Sequence, residues 1–146
     1  MLEENPYFTP EEKVKVAAFI KSTPDTDTAI HGDLQFGNAI FANGKKYFID
    51  LGDFACGNPL FDLGMVVLCC CYDDEAFLRE VFHMGPDTAY QFWIYFAKEY
   101  FGENADIDAL SKQLRPYAGL KVLIIERNSG MHFPAFHKLL DEVMEH

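Results

Sequence analysis

Two short polar loops joined by a β-hairpin constrain the fold of this chain more than any other feature. The first loop, residues 31–38, reads His-Gly-Asp-Leu-Gln-Phe-Gly-Asn, and the second, residues 50–53, reads Asp-Leu-Gly-Asp. Between them, two β-forming runs flank the dipeptide Asn43-Gly44. Asn-Gly between such runs is the strongest short-range signal for a hairpin with a two-residue turn. The sequence therefore predicts that a hairpin connects the two loops.

The hairpin register brings the two loops together. A two-residue turn pairs Ala42 with Lys45 and, counting outward, Asn38 with Ile49. Asn38 and Asp50 should therefore lie close at the open end of the hairpin. Because alternation along a strand would point them to opposite faces, the strand must end or bend near Asp50. We expect Gly52 to make that bend easy.

The polar residues of this region are those that phosphoryl transfer requires. In the catalytic loop of kinases, an Asp accepts the proton of the substrate hydroxyl, and an Asn and a later Asp hold magnesium. The spacing from Asp33 to Asn38 matches that loop, and Asp50 supplies a second hard oxygen ligand for Mg²⁺. His31 and Gly32 would shape the loop. Asp and Asn in glycine-containing loops also make simple turns, but several in this order favour a catalytic site.

The same residues carry a family resemblance. His-Gly-Asp-Leu-x-x-Gly-Asn, a hairpin, Ile-Asp-x-Gly-Asp and Asn-Pro-x-x-Asp-Leu resemble the aminoglycoside phosphotransferase and choline kinase-like superfamily over residues 29–64. The resemblance implies that Asp33 is the catalytic base, that Asn38 and Asp50 bind Mg²⁺, and that ATP donates the phosphate. It also implies that Asp62 braces the catalytic loop. The sequence leaves three roles open for Asp53: an acidic group that supports the metal ligands, a substrate contact or a capping residue.

The resemblance also implies a fold. It predicts an α+β, mostly helical, protein-kinase-like C-terminal lobe, with residues 1–146 as a single domain and the hairpin carrying both loops. Only thirty residues precede His31, and no Gly-x-Gly-x-x-Gly sequence occurs. We therefore expect the N-terminal ATP-binding lobe to be missing, ATP binding to be incomplete, and the isolated chain to be inactive or nearly so. A separate chain could supply the missing lobe.

Helix-capping residues and the spacing of apolar residues predict where the helices lie. Thr9-Pro10-Glu11-Glu12 predicts a capping box that opens a helix ending near residue 21. Apolar and aromatic patterns predict further helices at 63–72, 73–83, 88–101, 107–127 with a break near Pro116, and 134–145.

Composition limits the partners. The net charge of −11 argues against nucleic acid and anionic membranes, which both require basic surfaces. With no apolar run of membrane-spanning length and an acidic start, we expect a cytoplasmic protein with reduced cysteines. The 14 Phe and 7 Tyr allow either an aromatic core or a covered apolar face, which makes a homodimer conceivable. The histidines other than His31 lack metal-ligand spacing: His83, His132, His137 and His146.

The sequence thus predicts an ATP-dependent phosphotransferase that acts on a hydroxyl of a small molecule, such as a sugar, an aminoglycoside or a choline-like compound. The alternative is a noncatalytic binding or regulatory module derived from such a kinase. A metal-dependent phosphoesterase is a third interpretation, but the downstream His-bearing motifs of that chemistry are absent.

Overall fold

The protein is mostly helical and carries two short antiparallel strand pairs. A computed structural model describes residues 2–72 and 74–140, apart from the side chains of residues 135 and 136. The helices are α1 (Pro10–Ser22), α2 (Leu60–Val67), α3 (Glu75–Val81), α4 (Pro86–Phe101), α5 (Ile107–Ser129) and α6 (Pro134–His137). The strands are β1 (Thr28–Ile30), β2 (Ala39–Ala42), β3 (Lys45–Phe48) and β4 (Ala55–Gly57).

Helix α1 begins with the predicted capping box. The Thr9 hydroxyl accepts the Glu12 backbone N–H at 3.2 Å, and the Glu12 carboxylate accepts the Thr9 backbone N–H at 2.7 Å. Hydrogen bonding from Thr9, chiefly from its backbone N–H, lowers the pKa of the Glu12 carboxyl group. The helix then turns Val16 into the core, where it is fully buried. Local sequence therefore decides both the start of α1 and the face it buries.

The hairpin has the predicted register. Ala42 lies opposite Lys45, and the Ile49 backbone N–H donates to the Asn38 carbonyl at 2.9 Å. The chain does bend at the end of β3, but the left-handed residue is Asp50 (φ 59°) rather than Gly52. A 3₁₀ turn, Leu51–Asp53, follows at once. Asp and Asn tolerate the left-handed conformation better than other residues with a β-carbon, which explains why no glycine is required here.

The strand β4 was not predicted. It pairs antiparallel with β1, with Ile30 opposite Ala55. The three-residue strands are too short for a clear alternating pattern, so periodicity could not reveal them. Their pairing places the beginning of the first polar loop beside the end of the second.

The helical core forms where α5 crosses α2. A β-carbon on Gly64 would lie 2.6 Å from the Tyr117 carbonyl carbon, so only glycine allows this close approach. Trp93 of α4 is fully buried, and its indole N–H donates to the Ser111 hydroxyl of α5 at 2.8 Å. The largest fully buried side chains are Trp93, Leu68, Leu78, Leu114, Leu140, Val16, Val67 and Val122.

Three helix predictions need correction. Helix α5 runs through Pro116 without the predicted break, because its face packed on α2 offsets the one hydrogen bond that proline removes. The predicted helix 63–72 is α-helical only to Val67 and continues as a π-helical segment, Leu68–Tyr72. After α6 the chain makes a 3₁₀ turn, Lys138–Leu140; residues 141–145 of the predicted last helix lie outside the described residues.

Two further expectations concern membranes and thiols. Among the described helices, none is both long enough and apolar enough to cross a membrane. None of the four cysteines, all of which lie within the described residues, forms a disulfide; Cys69 and Cys70 are buried and Cys56 is exposed. Burial raises the pKa of Cys71 to about 12, which keeps that thiol protonated at neutral pH.

Candidate active site

A buried carboxylate anchors the first polar loop. Asp62 lies in the first turn of α2 and is 7% exposed. Its Oδ2 accepts the His31 backbone N–H at 2.6 Å, and its Oδ1 accepts the Gly32 backbone N–H at 2.8 Å. Asn58 caps the same helix by accepting the Leu60 backbone N–H at 3.0 Å. Helix α2 thus holds the start of the loop through two charge-assisted hydrogen bonds.

The His31 side chain links the first loop to the end of the hairpin. Its Nε2 lies 2.9 Å from the Ile49 carbonyl oxygen, and its Nδ1 accepts the Asp33 backbone N–H at 3.3 Å. Since Nδ1 is the acceptor, Nε2 carries the ring proton and donates to the carbonyl. His31 is buried, so its ring holds the Asp33 backbone and the Ile49 carbonyl in fixed positions relative to each other.

Asn38 and Asp33 form the polar centre of the loop. The Asn38 amide nitrogen donates to the Asp33 carboxylate at 2.8 Å and to the Asp33 carbonyl at 2.9 Å. With the nitrogen committed to Asp33, the Oδ1 oxygen is the atom that Asn38 can offer to a cation. Asp50 is exposed at the open end of the hairpin, and its side chain does not cap the turn that follows. An amide oxygen and a carboxylate are a donor set that fits Mg²⁺, whose remaining positions are taken by water and phosphate oxygens.

The two polar loops touch at Gly32 and Asp53. Gly32 has a left-handed backbone (φ 87°), and a β-carbon there would lie 2.4 Å from the Asp53 carbonyl oxygen. Any side chain at position 32 would therefore push the loops apart. The Asp53 backbone packs against Gly32, while the residue itself is exposed.

Lys121 of α5 is a site residue that the sequence interpretation missed. It is 5% exposed, and its ammonium group donates a hydrogen bond to the Gly32 carbonyl. Burial lowers the pKa of Lys121, against the opposing attraction of Asp62, Asp33 and Asp53. The only sequence signal was one lysine inside the apolar run 119–125. A charge in such a run indicates a buried partner, but not which one.

A cleft of about 360 Å³ opens beside these residues, which is within the range for small-molecule pockets. Its polar wall combines both signs of charge with amide and hydroxyl groups, and its apolar wall comes from α2 and α5. The lining residues are Gly32, Asp33, Asp53, Met65, Lys121, Ile124, Ile125, Asn128 and Ser129.

The structure therefore joins most of the predicted site residues in one network of contacts. His31, Gly32, Asp33, Asn38 and Asp62 are linked by hydrogen bonds, and the Asp53 backbone packs on Gly32. Asp50 follows Ile49, whose carbonyl oxygen lies beside the His31 ring.

Comparison with known proteins identifies the family. Residues 4–93 match the model of a family described as "Phosphotransferase enzyme family". That match covers more than half of the chain and includes α1, both polar loops, the hairpin and α2. No curated protein and no solved structure matches the chain. This chain belongs to the phosphotransferase enzyme family.

Proposed function

We propose that this chain carries the catalytic and magnesium-binding loops of an ATP-dependent phosphotransferase that acts on a hydroxyl of a small molecule. One observation carries the proposal. The Asp33 carboxylate borders a cleft of small-molecule size and is held in place by the Asn38 amide at 2.8 Å. A carboxylate oriented in this way, with oxygen ligands for a cation nearby, is the arrangement that phosphoryl transfer requires.

Asp33 orients the acceptor hydroxyl and takes up its proton. The Asn38 N–H restricts one oxygen of the carboxylate, so the hydroxyl meets a carboxylate in a defined rotamer. The His31 ring accepts the Asp33 backbone N–H and keeps this part of the loop from rotating away. Positioning of this kind accounts for much of the barrier reduction in phosphoryl transfer, because the protein does little covalent chemistry.

Asn38 Oδ1 and the Asp50 carboxylate would hold the magnesium. When bound, Mg²⁺ neutralises charge on the phosphate oxygens. Asp53 lines the acceptor cleft, and we assign it a role in shaping that cleft and in keeping the two loops in contact. Lys121 tethers the loop through the Gly32 carbonyl and supplies a positive charge beside three carboxylates.

Apolar side chains exposed on both faces of the hairpin and on the turn after it, here called the apolar patch, support the need for a second lobe. Seven large side chains of the hairpin and the following turn are between 42% and 72% exposed: Ile40, Phe41, Tyr47, Phe48, Ile49, Leu51 and Phe54. Exposed apolar patches of this kind mark surfaces that a partner covers. We propose that an ATP-binding lobe covers this patch, whether in the same polypeptide or on another chain, and that activity depends on it. Sedimentation of the chain would reveal a homodimer that uses the patch instead.

The test is phosphate transfer by the full natural protein, with Asp33→Asn compared to wild type. Transfer of the γ-phosphate of ATP to pooled sugars, aminoglycosides and choline-like alcohols is followed by mass spectrometry with Mg²⁺ present. We expect Asp33→Asn to lower the rate by about 10²- to 10⁴-fold, which is the usual contribution of a positioned base. Binding of Mg²⁺–ATP should persist. Asp25→Asn, a change at an exposed carboxylate in the turn before β1, is the matched control and should leave transfer unchanged.

Other outcomes would point to other functions. Mg²⁺–ATP binding without transfer by the wild-type protein would support a noncatalytic binding module. Metal-driven hydrolysis of a generic phosphate ester without ATP would support a phosphoesterase. Equal transfer by wild type and Asp33→Asn would remove Asp33 from the mechanism.

A further inference from the structure

A second polar cluster lies at the end of α5. It consists of Glu126, His132 and His137, here called the Glu-His cluster. His132 Nδ1 lies 2.8 Å from Glu126 Oε1, and His137 Nε2 lies 2.7 Å from the same oxygen. The three potential ligand atoms all lie within 4.8 Å of one another. One side chain from the end of α5 and two histidine side chains from the residues after α5 thus converge on one point.

The cluster is preorganised by groups that are not part of it. The Tyr7 ring stacks on the His132 ring with centroids 3.7 Å apart, and the Phe8 ring stacks on the His137 ring at 4.7 Å. Asn5 donates to the other oxygen of the Glu126 carboxylate at 3.2 Å. The N-terminal segment therefore fixes both rings and the carboxylate, which reduces the conformational entropy that a bound ligand would have to overcome.

We propose that the Glu-His cluster binds a zinc-class divalent cation. Two imidazole nitrogens and one carboxylate oxygen are a typical donor set for Zn²⁺, and three protein ligands leave a fourth tetrahedral position for water. The Glu126 side chain is 2% exposed and the His132 side chain 31% exposed, so the carboxylate is buried while one ligand faces solvent. The oxygen ligands at the catalytic loops suit Mg²⁺ instead, so the two sites select different metals.

Metal binding would rearrange the three ligand atoms of the cluster. In the structure, the two ring N–H groups donate to Glu126 Oε1. To bind a metal through these two nitrogens, each neutral ring would carry its proton on its other nitrogen instead. With metal–ligand bonds of about 2.0–2.1 Å in tetrahedral geometry, the nitrogen–oxygen separations would open to about 3.3 Å. The cation would then clamp the N-terminal segment and α6 to the end of α5.

Thermal unfolding of the full chain tests the proposal. Zinc chloride is added over excess Mg²⁺, which occupies the oxygen-ligand site. We expect zinc to raise the midpoint of wild type by about 5 °C or more. The double variant His132→Asn/His137→Asn should lose that shift. His83→Asn is the matched control, since His83 is exposed and has a left-handed backbone that asparagine tolerates. It should respond to zinc as wild type does.

Two further measurements keep the test decisive if the double variant folds poorly. Glu126→Gln retains an acceptor oxygen but removes the charge, and zinc affinity should fall at least tenfold. In nitrogen–proton correlation spectra of the wild-type imidazoles, zinc should bind His132 through Nδ1 and His137 through Nε2, and leave His31 and His83 unshifted. A wild-type protein without a zinc response, zinc shifts at His31 or His83, or a zinc affinity of Glu126→Gln equal to that of wild type would each overturn the proposal.

Discussion

Asp62 and Glu126 are two buried carboxylates that each organise the chain around a helix end, and they do so with different donors. Asp62, in the first turn of α2, accepts the backbone N–H groups of His31 and Gly32. Glu126, in the last turns of α5, accepts one backbone N–H, from Phe133 at 2.9 Å, together with two histidine rings and the Asn5 amide.

The two carboxylates therefore differ in the kind of group that donates to them. The donors to Asp62 are backbone amides, which do not bind metals, so this anchor consists of hydrogen bonds alone. The donors to Glu126 include two imidazole rings, and imidazole is a common metal ligand, which is the property that the proposed zinc site uses. A buried lysine balances the first carboxylate, whereas the second depends on hydrogen bonds. Asp62 holds the start of the first polar loop, and Glu126 joins the N-terminal segment to the end of α5.

The largest effect is expected from Asp62→Ala. This change leaves the His31 and Gly32 backbone N–H groups without their acceptor and removes a negative charge that acts on Lys121. The free energy of unfolding should therefore fall by about 3–5 kcal/mol. Urea denaturation measures the loss. Asp25→Ala, at an exposed carboxylate, should change stability by no more than about 0.5 kcal/mol. If the two variants unfold at the same urea concentration, Asp62 is not an anchor.

A smaller effect is expected from Lys121→Met, which keeps the apolar stem but leaves the Gly32 carbonyl without its donor. The cost should be about 1–3 kcal/mol near neutral pH. Because the folded pKa of Lys121 lies below its ordinary 10.5, the folded chain binds fewer protons there, and wild-type stability rises with pH towards 10.5. The difference in the free energy of unfolding between wild type and Lys121→Met should therefore widen over that range. The difference between wild type and Lys112→Met, a change at an exposed position of the same helix, should not widen with pH. If the difference for Lys121→Met is also constant, the lowered pKa of Lys121 is contradicted.

The smallest effect is expected from Glu126→Gln in the absence of zinc, about 1 kcal/mol at pH 7. Although burial raises the pKa of Glu126, hydrogen bonds from Phe133, His137, His132 and Asn5 outweigh it, and the folded pKa lies below 4.5. Its stabilising contribution should therefore be complete above pH 4.5 and disappear as pH falls through the folded value. Denaturation curves from pH 7 to 3 test this. Glu99→Gln, at an exposed position of α4, should retain the wild-type pH profile. An unchanged profile in Glu126→Gln would refute the assignment.

Local signals account for what the sequence predicted correctly. The Asn-Gly turn set the hairpin register, and the capping box set the start of α1. The interpretation of the loop from His31 to Asn38 rested on spacing and family resemblance, because the proposed chemistry needs these residues a few positions apart. The family match over residues 4–93 confirms the family resemblance.

Tertiary contacts account for what it missed. Lys121 reaches the Gly32 carbonyl across 89 positions, and Asn5 reaches Glu126 across 121. No periodicity or spacing encodes such pairs. The helix through Pro116 was missed for the same reason, since packing on α2 outweighs the local tendency of proline to break a helix.

The central claim is that the two polar loops form one metal-dependent phosphoryl-transfer site. Paramagnetic broadening by Mn²⁺–ATP is its most direct test. Manganese takes the oxygen ligands that magnesium prefers and broadens the NMR signals of nuclei near it. We predict that substoichiometric Mn²⁺–ATP broadens the amide signals of Asn38 and Asp50 first, that Asp50→Asn abolishes this, and that the Glu-His cluster is unaffected. Broadening of the exposed acidic residues 103–108 to the same degree as residues 31–53 would contradict the account.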